Sequence, residues 1–254
     1  MLEDRRRNAA ILAGVALVAA VVAFAWRRSG GDAPLIAVDV GHSATIGGAV
    51  SASGVAEFAF NRDLAQTIGD AFAADGIAFV PVGLDGSMTD VKMRPPYAAS
   101  KRATFLLSIH HDSVQPQYLE TWERNGGQGL YSDRYSGFSL FVSRGNAHLA
   151  ESLACARSIG AALIAAGFAP TAHHAEDIDG ERRTWADERN GVYYYDNLHV
   201  LRVSAMPAVL LEAGVIVNRR DEAVLRTVET QQKIATAAGA GLRACGQVRS
   251  NPDR

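Results

Sequence analysis

The chain is poor in cysteine. Only Cys155 and Cys245 occur among its 254 residues, and no Cys-x-x-Cys pair exists, which excludes a cysteine-built metal or redox motif. There is no His-Glu-x-x-His run either, so no single helix supplies a histidine pair for a metal. Positive charge is not in excess. Lys and Arg number 25 against 27 Asp and Glu, for a net charge of −2. The first 28 residues take five arginines and two acids, leaving 20 basic and 25 acidic residues for the rest. A mildly acidic body lacks the electrostatic footprint of a nucleic-acid binder. No internal repeat is visible, which sets aside repeat architectures.

What the chain has is apolar sequence. At 48% hydrophobic it is not a disordered chain, and its length suits one large domain or two small ones. Ala9 to Trp26 is unbroken by any polar residue and follows Arg5-Arg6-Arg7. Such a run is just long enough to span a membrane, and its upstream arginines favour a cytoplasmic N-terminus with the rest exported. Ala23-Phe24-Ala25 also offers a small-x-small cleavage pattern, so residues 1–28 read as a membrane anchor or a signal sequence. In an exported protein Cys155 and Cys245 can pair, or remain two small buried thiols.

Residues 29–34 form a linker of turn formers. Three apolar runs then end in polar residues: Leu35–Val40 in Gly41-His42, Thr104–Ile109 in His110-His111-Asp112-Ser113, and Ala208–Leu211 in Glu212-Ala213-Gly214. They read as buried strands delivering side chains to one sheet edge. Further strands are expected at Ile77–Val82, Phe138–Val142 and Val200–Val203. Helices are expected over Val55–Ala74, Pro95–Arg102 and Ala147–Ala166, the last capped by Asn146. A final helix is expected from a cap at Asp221 to Ala244. Residues 113–136 read as a long surface loop. Residues 169–198 read as a surface insertion rich in charge and aromatics, and 246–254 as a tail. The pattern predicts an α/β domain over 35–245, a mixed, largely parallel sheet with helices on both faces.

His42, Glu57 and His110 supply two histidines and one glutamate, a common catalytic zinc set, and Glu212 from another strand end is then free to act as a base. Taken singly, each has a bland reading: a loop histidine, or a glutamate complementing a helix dipole. His111 adjoins His110 on a strand and points elsewhere. Asp112 reads as a loop residue rather than an orienting partner. His148, His173, His174 and His199 read as surface or insertion residues, the paired His173-His174 as a pair that could bind adventitious metal.

Taken together, these segments resemble the zinc-dependent N-acetylmuramoyl-L-alanine amidases of bacteria, the amidase-3 family. The likeness runs from about Leu35 to Leu242. It rests on Asp39-Val40-Gly41-His42 with Gly48-Ala49, on Glu57 with Asn61, on Arg94 with Ala98, on Ser108-Ile109-His110, and on Pro207 to Gly214 with Asn218. Departures flank the motifs: Ser43-Ala44 replaces glycines, His111-Asp112 replaces Ala-Asn, Ala99 replaces an asparagine, and Val215 a phenylalanine. The resemblance implies Zn2+ on His42, Glu57 and His110, Glu212 as general base, and peptidoglycan as substrate. It further implies a periplasmic or cell-envelope location, inner-membrane anchored or secreted, and a protein activator that displaces a lid, here 169–198. Alternatives are a zinc peptidase acting on cell-wall peptides and a non-catalytic wall-binding protein.

Overall fold

In the computed structural model, which describes residues 34–124 and 126–248, nine strands and six α-helices alternate. The anchor or signal expected over 1–28, most of the linker and most of the tail lie outside the described residues. No helix among the described residues is long and apolar enough to cross a membrane.

Seven strands form one sheet in the order β2-β1-β3-β9-β6-β8-β7. These are β1 (Leu35–Val40), β2 (Ala78–Val82), β3 (Phe105–Asp112), β6 (Ser139–Val142), β7 (Thr184–Asp187), β8 (Val192–Tyr194) and β9 (Ala208–Val215). β2, β1, β3 and β9 run parallel. β6 joins β9 antiparallel, β8 runs parallel to β6, and β7 closes the edge antiparallel. The expected mixed, largely parallel sheet is therefore present. Its central strands read as continuous apolar runs because both faces are covered.

The helices are α1 (Glu57–Ala74), α2 (Arg94–Ser100), α3 (Leu149–Ala165), α4 (His199–Arg202), α5 (Arg219–Leu225) and α6 (Val228–Ala244). Strand alternation divides the core. Val38, Leu107, Ile109, Val209 and Leu211 face α1, α3 and α6, meeting Leu64, Ile68, Phe72, Ile159 and Leu242. Ala37, Leu106, Ala208 and Leu210 face Ala98 of α2 and Val200 and Leu201 of α4. α1 buries Phe58, Leu64, Ile68 and Phe72 at near-helical spacing, as expected. Cys155 of α3 and Cys245 at the end of α6 form a disulfide.

Several elements differ from expectation. Val200–Val203 is not a strand: His199–Arg202 is one helical turn, held where Asn146 Nδ2 donates to the Leu201 carbonyl at 2.7 Å. A four-residue apolar run carries too little periodicity to separate the two. Asn146 accordingly does not occupy the cap of α3, which begins at Leu149. The expected last helix is two, capped by Asn218 and Thr227, while Asp221 accepts from the Gly137 and Val215 amides instead. Residues 113–136 are not one loop: they contain the hairpin β4 (Glu120–Arg124) and β5 (Gly127–Tyr131). Within 169–198, β7 and β8 belong to the central sheet and Tyr193 is fully buried.

Candidate active site

The site sits where β1 and β3 end, and the register explains why. β1 and β3 pair Val40 with Ile109, so His42 and His110 emerge at neighbouring strand ends. β9 pairs Glu212 with His110. β1 leaves the sheet through His42, whose φ of 65° is left-handed, a backbone state uncommon outside glycine that gathers at functional sites. The loop then returns to α1, whose first residue is Glu57.

His42 Nε2 lies 3.0 Å from Glu57 Oε2, and His110 Nδ1 lies 3.0 Å from Glu57 Oε1. All three donor atoms lie within 4.8 Å of one another. Two glycines make this closeness possible. A Cβ on Gly41 would come 2.3 Å from the His110 ring, and one on Gly48 would come 2.4 Å from Glu57 Oε2. Glu57 is 4% exposed. Burial raises its carboxyl, but hydrogen bonds and charge from His110 and His42 outweigh that and hold it well below the usual range. The Ala49 amide and Asn61 Nδ2 also donate to it.

Asn61 works on two sides. Its amide nitrogen serves Glu57 and the Gly41 carbonyl, while its oxygen lies 2.8 Å from His111 Nδ1. His111 is buried, which pushes its imidazole down to about 4 and keeps it neutral at pH 7. It stands outside the His42–Glu57–His110 cluster. Arg94 supports the loop from the other face. It pairs with buried Asp39 at 2.7 Å, and donates to the carbonyls of Val40, His42 and Met88. Asp39 also accepts from Ser108 at 2.6 Å. A 280 Å³ cavity opens here, lined by His42, His110, Arg94, Ile46, Val91 and Val200 among others.

Glu212 Oε2 is buried without a hydrogen-bond partner. Burial, with the nearby negative charges of Asp112 and Glu57, raises its carboxyl well above the usual range. A carboxyl raised in this way holds its proton to higher pH than an ordinary carboxylate, the direction in which a general acid or base is tuned.

Two readings from sequence need correction. Asp112 is the last residue of β3, not a loop residue. His173 and His174 are not surface residues: they are 2% and 7% exposed, and both approach Asp112. His174 also meets Glu181 at 3.0 Å. Burial lowers His174, but Asp112 and Glu181 outweigh it and push it up to about 9. The contact spans 62 residues, so no local pattern announces it. The adjacent histidines and the unusual aspartate after His110-His111 were the only signals. Among the acids of 169–198, Glu176 is engaged by Tyr135, Asp177 and Asp179 by Arg182, Glu181 by His174, Asp187 by Arg157 and Asp196 by Arg144.

The donor set fits zinc chemically: two imidazole nitrogens and a carboxylate. Tetrahedral bonds of about 2.0–2.2 Å put neighbouring donors roughly 3.3 Å apart, close to the 3.0 Å separations observed.

Comparison with known proteins bears on this geometry. Comparison with curated proteins gives no match. Among solved structures, the chain resembles the catalytic domain of CwlV, an N-acetylmuramoyl-L-alanine amidase from Bacillus (Paenibacillus) polymyxa var. colistinus. Identity is 24%, 83% of this chain and 96% of that one are covered, and the TM-score is 0.62. It resembles Ami1 from Mycobacterium smegmatis at 22% identity, covering 84% and 96%, with a TM-score of 0.65. It also resembles the CwlD amidase of Clostridioides difficile, solved in complex with the GerS lipoprotein, at 18% identity, covering 84% and 98%, with a TM-score of 0.62. These likenesses concern the fold. The family model described as N-acetylmuramoyl-L-alanine amidase, Amidase_3, matches residues 36–244. The chain therefore belongs to the amidase-3 family of N-acetylmuramoyl-L-alanine amidases and is an enzyme of that class.

Proposed function

We propose that the chain is a zinc-dependent peptidoglycan hydrolase that cuts the amide bond between the lactyl group of N-acetylmuramic acid and L-alanine, with Glu212 as general base. The observation that carries this reading is the convergence of His42, Glu57 and His110 beside Glu212, whose Oε2 is buried without a hydrogen-bond partner. His42, Glu57 and His110 would hold the ion. Zinc held there supplies a Lewis acid and a more acidic water. Glu212 takes the proton of the water that attacks the lactyl carbonyl carbon, and returns it to the alanine nitrogen as the C–N bond breaks. Asn61 keeps Glu57 oriented, and Arg94 fixes the loop that carries His42.

The reading extends to location and partners. The arginine-flanked apolar segment at 9–26 would place the domain outside the cytoplasmic membrane, where peptidoglycan lies, and a disulfide suits that oxidising side. The GerS lipoprotein bound to the CwlD amidase is a precedent for a protein activator here.

The test is digestion of peptidoglycan by the purified full-length chain, with products identified by mass spectrometry. Intact stem peptides with free N-terminal L-alanine are expected, lost with a chelator and restored by zinc. Glu212→Gln should lower the rate by about 10²–10⁴-fold while its zinc content stays that of the wild type. Shortened stem peptides would move the assignment to a peptidase, and full activity in Glu212→Gln would remove the base.

A further inference from the structure

A second donor cluster lies beyond the first. Asp112, His173 and His174 bring one carboxylate oxygen and two imidazole nitrogens within 4.8 Å of one another. Asp112 comes two residues after His110 on β3, past a break in register with β9. The two histidines come from the short helical turn His173–Ala175. All three are largely buried: the side chains are 12%, 2% and 9% exposed.

The ring nitrogens of both histidines converge on Asp112. Each Nδ1 is already engaged from behind: His173 by Thr171 Oγ1 at 2.9 Å, His174 by Glu181 Oε2 at 3.0 Å. Glu181 is itself held by Gln115. A carboxylate only accepts, so the His174 Nδ1 carries a proton towards Glu181. With its ring pushed up to about 9, His174 in the metal-free protein also donates from Nε2 to Asp112. Both Nε2 atoms point at a single oxygen, Asp112 Oδ2, at 3.2 and 2.8 Å. The His173 Nε2 is nonetheless buried with no hydrogen-bond partner, so the proton arrangement leaves one ring nitrogen unsatisfied. A divalent ion taking the place of the His174 Nε2 proton would engage all three atoms at once.

The donor spacing agrees. Separations of 2.8 and 3.2 Å match the 3.0 Å separations of His42 and His110 from Glu57, and approach the roughly 3.3 Å edge of a tetrahedral zinc site. Outer partners on the far nitrogens, a carboxylate on one ring and a hydroxyl on the other, are the support that metal-binding histidines need.

We infer that Asp112, His173 and His174 form a second zinc site, separate from His42–Glu57–His110, that fastens the 171–183 stretch to the end of β3. Two histidines and a carboxylate suit zinc, leaving a position for water. The ion would sit beside the strand end that carries His110, and would offset the Asp112 charge that bears on Glu212. Because its ligands are distinct, the inference stands apart from the amidase reading.

The test counts metal. The full-length chain is loaded with Zn2+, desalted, and analysed by elemental mass spectrometry, with circular dichroism to confirm folding. Two zinc ions per chain are expected for the wild type. One should remain in His42→Ala/His110→Ala and one in His173→Ala/His174→Ala, with none when all four are replaced. Zinc-edge anomalous diffraction from the unaltered chain, which needs no variant to fold, should give two peaks. A single peak at His42–Glu57–His110, or no zinc retained by His42→Ala/His110→Ala, would overturn the second site. A single peak at Asp112 would instead sink the first site and leave the second standing.

Discussion

Asn61 shows how much rests on one side chain. It is fully buried, and it orients both Glu57 and His111. Removing such an outer partner typically costs 10–100-fold in metal affinity, so Asn61→Ala should weaken zinc binding at His42–Glu57–His110 by about that factor, read by competition with a chromophoric chelator. Glu212 carries the opposite lesson, because its burial costs stability. Its folded carboxyl titrates well above the ordinary range, so the folded chain holds a proton that the unfolded chain releases first. The stabilisation this gives is complete below the ordinary carboxylate range and is lost as pH rises through the elevated value. In the metal-free protein, Glu212→Gln should therefore match the wild type near pH 4 and gain in Tm as pH rises towards 8. Thermal melts across that range, with chelator present, check it. His42, Glu57 and His110, which the structure brings together, stand out in the sequence because each follows an apolar run or opens a helix, and Glu212 stands out after the run Ala208–Leu211. His173 and His174 stand out only as a pair that could bind adventitious metal, because their partner is a single aspartate on a distant strand.

At the scale of elements, the site is a junction of two strand ends, one helix start and one short helix. Arg94 of α2 is the tie. It spans Asp39 on β1 and the carbonyls leading to His42, all nearly out of water. Arg94→Ala leaves Asp39 as a buried charge with only Ser108 for company, and breaking a buried pair costs about 3–5 kcal/mol. Urea unfolding should show a loss of that size, and the same variant should bind zinc less tightly because the His42 backbone is released. Long elements with clear periods, such as α1 and β3, were legible within two or three residues of their observed bounds. The failures cluster where local signals are short. The turn at His199–Arg202 is fixed by Asn146 from another segment. β7 and β8 are strands because β6 lies open beside them, which no window of sequence reveals.

For the molecule as a whole, the sheet order joins halves that are far apart in sequence: β9, near the C-terminus, lies between β3 and β6. The Cys155–Cys245 bond adds a covalent closure across 90 residues. Loops of that length cost the unfolded chain much of its freedom when bridged, and a native disulfide is typically worth 2–4 kcal/mol. Cys155→Ala/Cys245→Ala should lower stability by about that amount under oxidising conditions, measured by chemical denaturation. The same bond governs what a protease can do. Residues 156–244, including Glu212, His173 and His174, lie inside the closed ring. A single cut anywhere within it severs the backbone without freeing either piece. An enzyme nicked in its 176–183 stretch would run as one band without reductant and as two with it, and would keep its fold and its work in surroundings crowded with other hydrolases.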